Sequence, residues 1–156
     1  MSQKITTFLT FNDQAEQAAR LYTSVFKNSK ILSTTRYGEG APMPKGTVMT
    51  IELELEGQHY VLLNGGSSFS FSQGFSLQIN CDNQAEVDHY WNHLLEGGKP
   101  IACGWLVDRF GVSWQVTPKI LMEMMQDRDP VKAKRTMDAM MKMVKLDMRK
   151  LEEAAR

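Results

Sequence analysis

Two stretches of the chain decide its fold: FNDQAEQAARLYTSVF at residues 11–26 and NCDNQAEVDHYWNHLL at residues 80–95. Both carry apolar residues at the three- and four-residue spacing of an amphipathic helix. The apolar positions of the first stretch recur 69 residues later, so that Leu21 and Tyr22 correspond to Tyr90 and Trp91. The tripeptide Gln-Ala-Glu also recurs, 70 residues apart, which requires a one-residue insertion or deletion near the helix start. We interpret the two stretches as equivalent helices of an internal repeat.

Strand-like segments surround the first helix. Asn12 and Asp13 offer side-chain oxygens that could cap its first turn, and the helix should run to about residue 26. Later in this half, apolar and polar side chains alternate with the period of a half-buried strand, and Gly57 then marks a hairpin. We predict strands at residues 5–11, 30–37, 49–55 and 60–64. The first half therefore has the predicted order βαβββ.

The same order begins again after a serine- and phenylalanine-rich stretch. A strand, a helix that ends at Gly97 and Gly98, and two closing strands are predicted at residues 75–80, 82–95, 101–109 and 112–117. We therefore predict an α+β fold in which two tandem βαβββ modules, about residues 5–64 and 75–117, form a curved mixed sheet. The paired modules would occupy residues 1–117.

The remaining segment, residues 118–156, is predicted to be a helical extension of the same domain. Pro118 is suited to a first helical turn, and Asp129 with Pro130 is suited to opening another helix. Eight of the eleven methionines lie in this segment. Flexible thioether side chains fill irregular apolar gaps, so we interpret them as core or dimer packing rather than as ligands.

Composition narrows the classes of function. The chain has 156 residues, enough for one sizeable core, and its eighteen basic residues balance its eighteen acidic ones. This balance argues against nucleic acid or a membrane surface as a partner. The N-terminus lacks the apolar region of a signal peptide, so we expect a cytoplasmic protein, and Cys81 and Cys103 are expected to be free thiols.

Several motifs along the chain carry a resemblance to a known family. They are FNDQAEQAARLY-SVF, TRYGEG, VMTIELELEGQ, LNGG, QINC-NQAEVD-YW and CGWLVDRFGVSWQV. The sequence resembles the PhnB-like family, also labelled 3-demethylubiquinone methyltransferase-like. This family is part of the vicinal-oxygen-chelate superfamily of glyoxalases, bleomycin-resistance proteins and dioxygenases. The resemblance covers nearly the whole chain and implies paired βαβββ modules, a small-molecule cavity and a homodimer.

The resemblance also places four metal-ligand positions of metal-using relatives on this chain. They fall near Thr6, Leu62 or Asn64, Ser76 or Gln78, and Gln115, and the last is the firmest because DRFGVSWQV resembles the superfamily's final hairpin. None of these residues is His, Cys, Asp or Glu. Neutral amides and hydroxyls bind divalent transition metals weakly, so we expect no tightly bound metal and no cofactor. His89 and His93 are expected on the solvent side of their helix, and His59 beside a turn.

Strand parity groups other polar side chains into a predicted cavity. The candidate ligand contacts are Thr6, Phe8, Thr10, Asn64, Ser76, Gln78, Ser113 and Gln115, with Trp105 at the wall. The alternative is that the amides only satisfy buried backbone groups. Asp108 is the one acid of the final hairpin. It could line the cavity, or it could form a turn-capping pair with Arg109.

The sequence argues against one class of function and leaves three others open. A methyltransferase of the common class needs a glycine-rich turn between a strand and a helix, and neither residues 38–40 nor residues 65–66 lead into a helix pattern. The leading interpretation is a protein with a polar and aromatic cavity for an unknown small molecule, without a tightly held metal, and the sequence does not decide whether it is an enzyme. The alternatives are a non-catalytic binding or sequestration protein of the bleomycin-resistance type, and a partner-binding module that uses the methionine-rich segment.

The resemblance predicts the assembly. Static light scattering at micromolar concentration should give twice the 17.7 kDa mass of one chain. A mass of one chain across that concentration range would contradict the predicted homodimer.

The residues at the four ligand positions predict the metal content. Protein purified without added metal should contain far less than one equivalent of zinc, nickel, manganese or iron per chain, because hydroxyls and neutral amides hold these ions weakly. Elemental analysis after dialysis measures this. A stoichiometric metal that survives the dialysis would show that the ligand positions had been assigned wrongly.

Overall fold

The computed structural model describes residues 3–156, and it confirms the predicted α+β fold class. Its eight strands are hydrogen-bonded as two four-stranded mixed sheets, one for each βαβββ module. The chain divides into two compact units, with the boundary between Phe71 and Ser72. Each unit is described by itself below.

The first unit holds the first βαβββ module. Its elements are β1 (Thr7–Phe11), α1 (Ala15–Val25), β2 (Ser29–Arg36), β3 (Val48–Leu55) and β4 (Gln58–Asn64). The strand order is β1-β4-β3-β2, in which β1 runs parallel to β4 and the other pairs are antiparallel. The predicted alternation of β3 is confirmed, because Ile51, Leu53 and Leu55 are buried on the face that α1 covers.

The start of α1 differs from the sequence prediction. Neither Asn12 nor Asp13 caps the helix; the residue at the cap position is Gln14, whose side chain makes no capping hydrogen bond. The backbone N–H of Ala15 instead donates to Oδ1 of Asn64, at 2.9 Å. The local prediction was wrong because a residue 49 positions away along the chain takes the capping role.

Asn64 uses the rest of its polar groups in the same region. Its Nδ2 donates to the carbonyl oxygen of Val48 at 3.1 Å, and its own carbonyl oxygen accepts from the hydroxyl of Tyr37 at 2.6 Å. Its side chain is buried. One asparagine thus joins the end of β4, the start of β3 and the start of α1.

The second unit repeats the topology of the first. Its elements are β5 (Leu77–Cys81), α2 (Gln84–Leu95), β6 (Lys99–Pro100), β7 (Trp105–Val107) and β8 (Ser113–Pro118), in the sheet order β5-β8-β7-β6. Asn83 caps α2, since its Oδ1 accepts from the N–H of Glu86 at 2.9 Å. The buried residues of α2 include Tyr90 and Trp91, which the repeat had placed on its sheet-facing side.

The predicted strand at residues 101–109 is shorter in the structure. Cys103 and Gly104 have positive φ angles of 58° and 85°, which interrupt the extended backbone before β7. Gly104 also allows a close approach, because a Cβ at this position would lie 2.8 Å from Cδ1 of Leu146 and 2.9 Å from the carbonyl oxygen of Val116. A side chain here would separate the sheet from the C-terminal segment.

Three helices complete the second unit: α3 (Ile120–Met125), α4 (Pro130–Met141) and α5 (Met148–Ala155). Asp129 caps α4 as predicted, whereas Pro118 ends β8 instead of opening a helix. The predicted packing role is confirmed for four of the eight methionines of this segment. Leu121, Leu146 and Leu151 form a small core with Met124, Met125, Ala139, Met140 and Met143 around it.

Within residues 3–156, no helix has the length and apolar character to cross a membrane.

Asn64→Ala should destabilise the first module. It would leave a buried N–H and a buried C=O without partners, at a cost of about 2–4 kcal/mol in the free energy of unfolding. Asn64→Asp keeps the acceptor for Ala15 but buries a carboxylate oxygen against the carbonyl oxygen of Val48, so it should also be strongly destabilising. Urea unfolding measures both, with Asn80→Ala as the control because Asn80 is an exposed strand residue. Equal stability of Asn64→Ala and the control would contradict the capping role.

Candidate ligand site on the second-module sheet

The sheet of the second unit has one face covered by helices and one polar face. Trp114 and Val116 are buried on the helix-covered face, next to α2. The alternating residues of the same strands point to the opposite face. We call the side chains of Ser76, Gln78, Trp105, Ser113 and Gln115 on that face the polar patch.

Strand register brings the members of the polar patch together. Gln115 on β8 is paired with Gln78 on β5 and with Trp105 on β7, so these three side chains lie side by side across adjacent strands. Ser113 lies two residues before Gln115 on the same face. Five of the nine predicted site residues therefore belong to one surface.

Gln115 is oriented by its neighbour. Its Nε2 donates to Oγ of Ser76 at 2.9 Å, and Ser76 stands just before β5. The side-chain oxygen of Gln115 accepts no hydrogen bond from any residue in the range 3–156. The amide is thus held in place at one end and offers an acceptor at the other.

Ser113 is the most unusual member of the polar patch. Only 2% of its surface is exposed, and its hydroxyl has no hydrogen-bond partner within residues 3–156. A buried hydroxyl without a partner costs about 1–3 kcal/mol, and most buried polar atoms in proteins do have one. This hydroxyl therefore has the capacity to bind a polar group that the chain itself does not supply.

Asp108 holds the turn that leads into β8. Its Oδ1 accepts from the N–H groups of Phe110 and Val112 at 2.8 and 3.0 Å, and its Oδ2 accepts from Nε1 of Trp114 at 2.8 Å. The turn-capping interpretation of Asp108 is confirmed. Arg109 has a different role, since its Nε donates to the carbonyl oxygen of Glu96. With three donors in place, the buried Asp108 carboxylate serves the turn and not a ligand.

The other candidates belong to the first module. Phe8 and Thr10 lie on the face of their sheet that α1 does not cover, and Phe8 is 55% exposed. Thr6, just before β1, is exposed. Asn64 and Leu62 lie on the helix-covered face instead, so strand register separates them from Phe8. Both polar groups of the Asn64 side chain are hydrogen-bonded to backbone groups, so Asn64 is not part of the candidate site.

Register also places one cation on the face of the polar patch. Lys99 on β6 pairs with Val107, which pairs in turn with Ser113. Two strand spacings put its Cα roughly 10 Å from that of Ser113. The sequence alone missed this, because β6 has only two residues and no alternation to read.

The donor set does not fit a tightly held divalent metal. No group of three or more His, Cys, Asp and Glu side chains in residues 3–156 is arranged to hold one. Burial, together with nearby Glu86 and Asp82, raises the pKa of the Cys81 thiol to about 12, so this sulfur is not a thiolate at neutral pH. His93 is exposed, and its Nδ1 contacts the carbonyl oxygen of His89 at 2.7 Å.

A cleft of about 500 Å³ lies elsewhere in the second unit, between α2 and residues 142–150. Several of its polar groups are already paired. Gln84 donates to the carbonyl oxygen of Leu146 and accepts from the N–H of Met148. Hydrogen bonds from Lys145 and Gln84 hold the pKa of Asp88 below its usual value. These contacts attach the C-terminal segment to α2.

Comparisons with known proteins agree with the topology. The family model described as 3-demethylubiquinone-9 3-methyltransferase matches residues 3–117. The PhnB protein of Bacillus cereus, a putative 3-demethylubiquinone-9 3-methyltransferase, is 37% identical, with a TM-score of 0.69; the alignment covers 74% of this chain and 99% of that one. Protein PA1353 of Pseudomonas aeruginosa is 23% identical, with a TM-score of 0.63 and coverage of 76% and 98%.

A more distant structure is the fosfomycin resistance protein FosX of Listeria monocytogenes. It is 15% identical, with a TM-score of 0.46, and the alignment covers 73% of this chain and 88% of that one. No curated protein matches the chain. The family match over residues 3–117 and the 37% identity to the Bacillus cereus protein lead to one conclusion: the chain belongs to the PhnB-like 3-demethylubiquinone-9 3-methyltransferase family.

Proposed function

We propose that the protein binds a small molecule at the polar patch through hydrogen bonds from Ser113 and Gln115, without a metal ion between them. The observation that carries this proposal is the buried hydroxyl of Ser113, which has no partner within residues 3–156. Beside it, Gln115 is fixed by Ser76 with its oxygen available. Trp105 adds an aromatic surface next to these polar groups, the combination that is typical of small-molecule sites.

The patch is better suited to binding than to chemistry. General acid–base or nucleophilic catalysis needs a titrating group or an activated nucleophile. The polar patch offers hydroxyls and amides, while the nearby carboxylate of Asp108 accepts three hydrogen bonds, two from its turn and one from the indole of Trp114 on β8. These groups can orient a ligand but do not readily transfer protons. A non-catalytic role of the bleomycin-resistance type is therefore the function that this site supports best.

Methyl transfer, which the family description names, finds no support in this arrangement. A cofactor such as S-adenosylmethionine is commonly held where a glycine-rich turn joins a strand to the start of a helix. The connection from β1 to α1 is Asn12-Asp13-Gln14 and that from β5 to α2 is Asp82-Asn83. Neither contains glycine. These connections therefore do not fit that cofactor.

Two substitutions test the binding proposal. Ser113→Ala removes an unpartnered buried hydroxyl, so we expect the free protein to be as stable as wild type or more stable by about 1 kcal/mol. Gln115→Ala should change the melting temperature by only a few degrees. Both variants should lose the thermal stabilisation that active members of a metabolite library give to wild type.

Ser33→Ala is the matched control, because Ser33 is an exposed serine on β2 of the other module. It should keep the wild-type response to every compound. If Ser113→Ala or Gln115→Ala strongly destabilised the free protein and yet kept all ligand responses, the two residues would have a structural role and the proposal would be wrong.

A further inference from the structure

The polar patch contains both hydrogen-bond donors and hydrogen-bond acceptors that have no partner within residues 3–156. Within residues 3–156, the hydroxyl of Ser113 and the exposed amide of Gln78 can donate and accept, the oxygen of Gln115 can accept, and the indole N–H of Trp105 can donate. These groups lie on four residues of three paired strands, because Gln115 is directly opposite both Gln78 and Trp105. A matching ligand group needs both an acceptor and a donor close together.

We infer that the ligand group recognised here is neutral and planar, of the carboxamide class, and that it carries an aromatic ring against Trp105. This inference rests on the proposed function. A carboxamide can accept from Ser113 through its oxygen and donate to the oxygen of Gln115 through its nitrogen. Its flat shape suits the aromatic face of Trp105, which gains from contact with another planar group.

Charge on the same face argues against the ionic alternatives. A carboxylate only accepts hydrogen bonds, so it would meet the acceptor oxygen of Gln115 without a donor between them. An ammonium group would have no carboxylate on these strands to compensate its desolvation. Lys99 is exposed and roughly 10 Å away in Cα position, so solvent and salt weaken its attraction for an anion held by Ser113.

Four fragments of similar size separate these possibilities: benzamide, benzoate, benzylammonium and cyclohexanecarboxamide. Dissociation constants come from ¹H–¹⁵N NMR titrations of the full chain, with the Trp105 indole and Gln115 amide signals as the site-specific readout. We expect benzamide to bind at least tenfold more tightly than either ionic fragment. Cyclohexanecarboxamide should bind more weakly than benzamide, since it keeps the amide and loses the aromatic ring.

Variants assign the contacts. Ser113→Ala should weaken benzamide binding by about tenfold, which is the size expected for one lost hydrogen bond to a ligand. Trp105→Phe keeps an aromatic ring and should retain most of the binding, whereas Trp105→Leu should lose it. Lys99→Ala should leave the benzamide constant unchanged. Circular dichroism spectra establish that each variant is folded before its titration is interpreted.

Each opposite result overturns the inference in a recognisable way. Tightest binding by benzoate that is lost in Lys99→Ala would make the patch an anion site, and tightest binding by benzylammonium would make it a cation site on Trp105. In both cases the proposed binding function would stand. If no fragment shifts the Trp105 or Gln115 signals, the carboxamide class is rejected, and the metabolite-library screen decides the proposed function separately.

Discussion

The buried carboxylate of Asp108 is the constraint on which the second-module sheet depends. Its three accepted hydrogen bonds fix the turn between β7 and β8 and tie that turn to the indole of Trp114. A buried carboxylate is tolerated only when donors surround it, as they do here. Because Trp114 is fixed on the helix-covered face, alternation along β8 sends Ser113 and Gln115 to the opposite face. One turn thus decides which residues form the polar patch.

Much of the fold could be predicted because its signals are local and repeated. The alternation of β3 and the paired helix patterns at residues 11–26 and 80–95 both correspond to elements of the structure. The errors arose where distant residues decide local conformation. Asn64 caps α1 from β4, and the positive φ angles at Cys103 and Gly104 stop a strand that composition alone would continue. The capping by Asn64 leaves no signal in the sequence next to α1, whereas Gly104 is itself a local signal of an interrupted strand.

The candidate site was less predictable than the fold, and the reason is register. Parity along β8 correctly separates Ser113 and Gln115 from Trp114, but parity on separate strands cannot say which faces coincide. The pairing of β1 with β4 places Asn64 opposite Phe11, on the helix-covered face, although sequence parity had grouped it with Phe8. The unpartnered hydroxyl of Ser113 depends on burial from several directions, so only the three-dimensional structure could reveal it.

An unpartnered buried hydroxyl also connects stability with binding. In the free protein it lowers the free energy of unfolding, since the unfolded chain exposes the same hydroxyl to water. A ligand that supplies the missing hydrogen bond removes that penalty only in the folded state, so binding and folding reinforce each other. Replacing the hydroxyl with a methyl group would remove the penalty and the recognition together. The cost in stability at Ser113 is therefore what we expect of a residue kept for a ligand rather than for the fold.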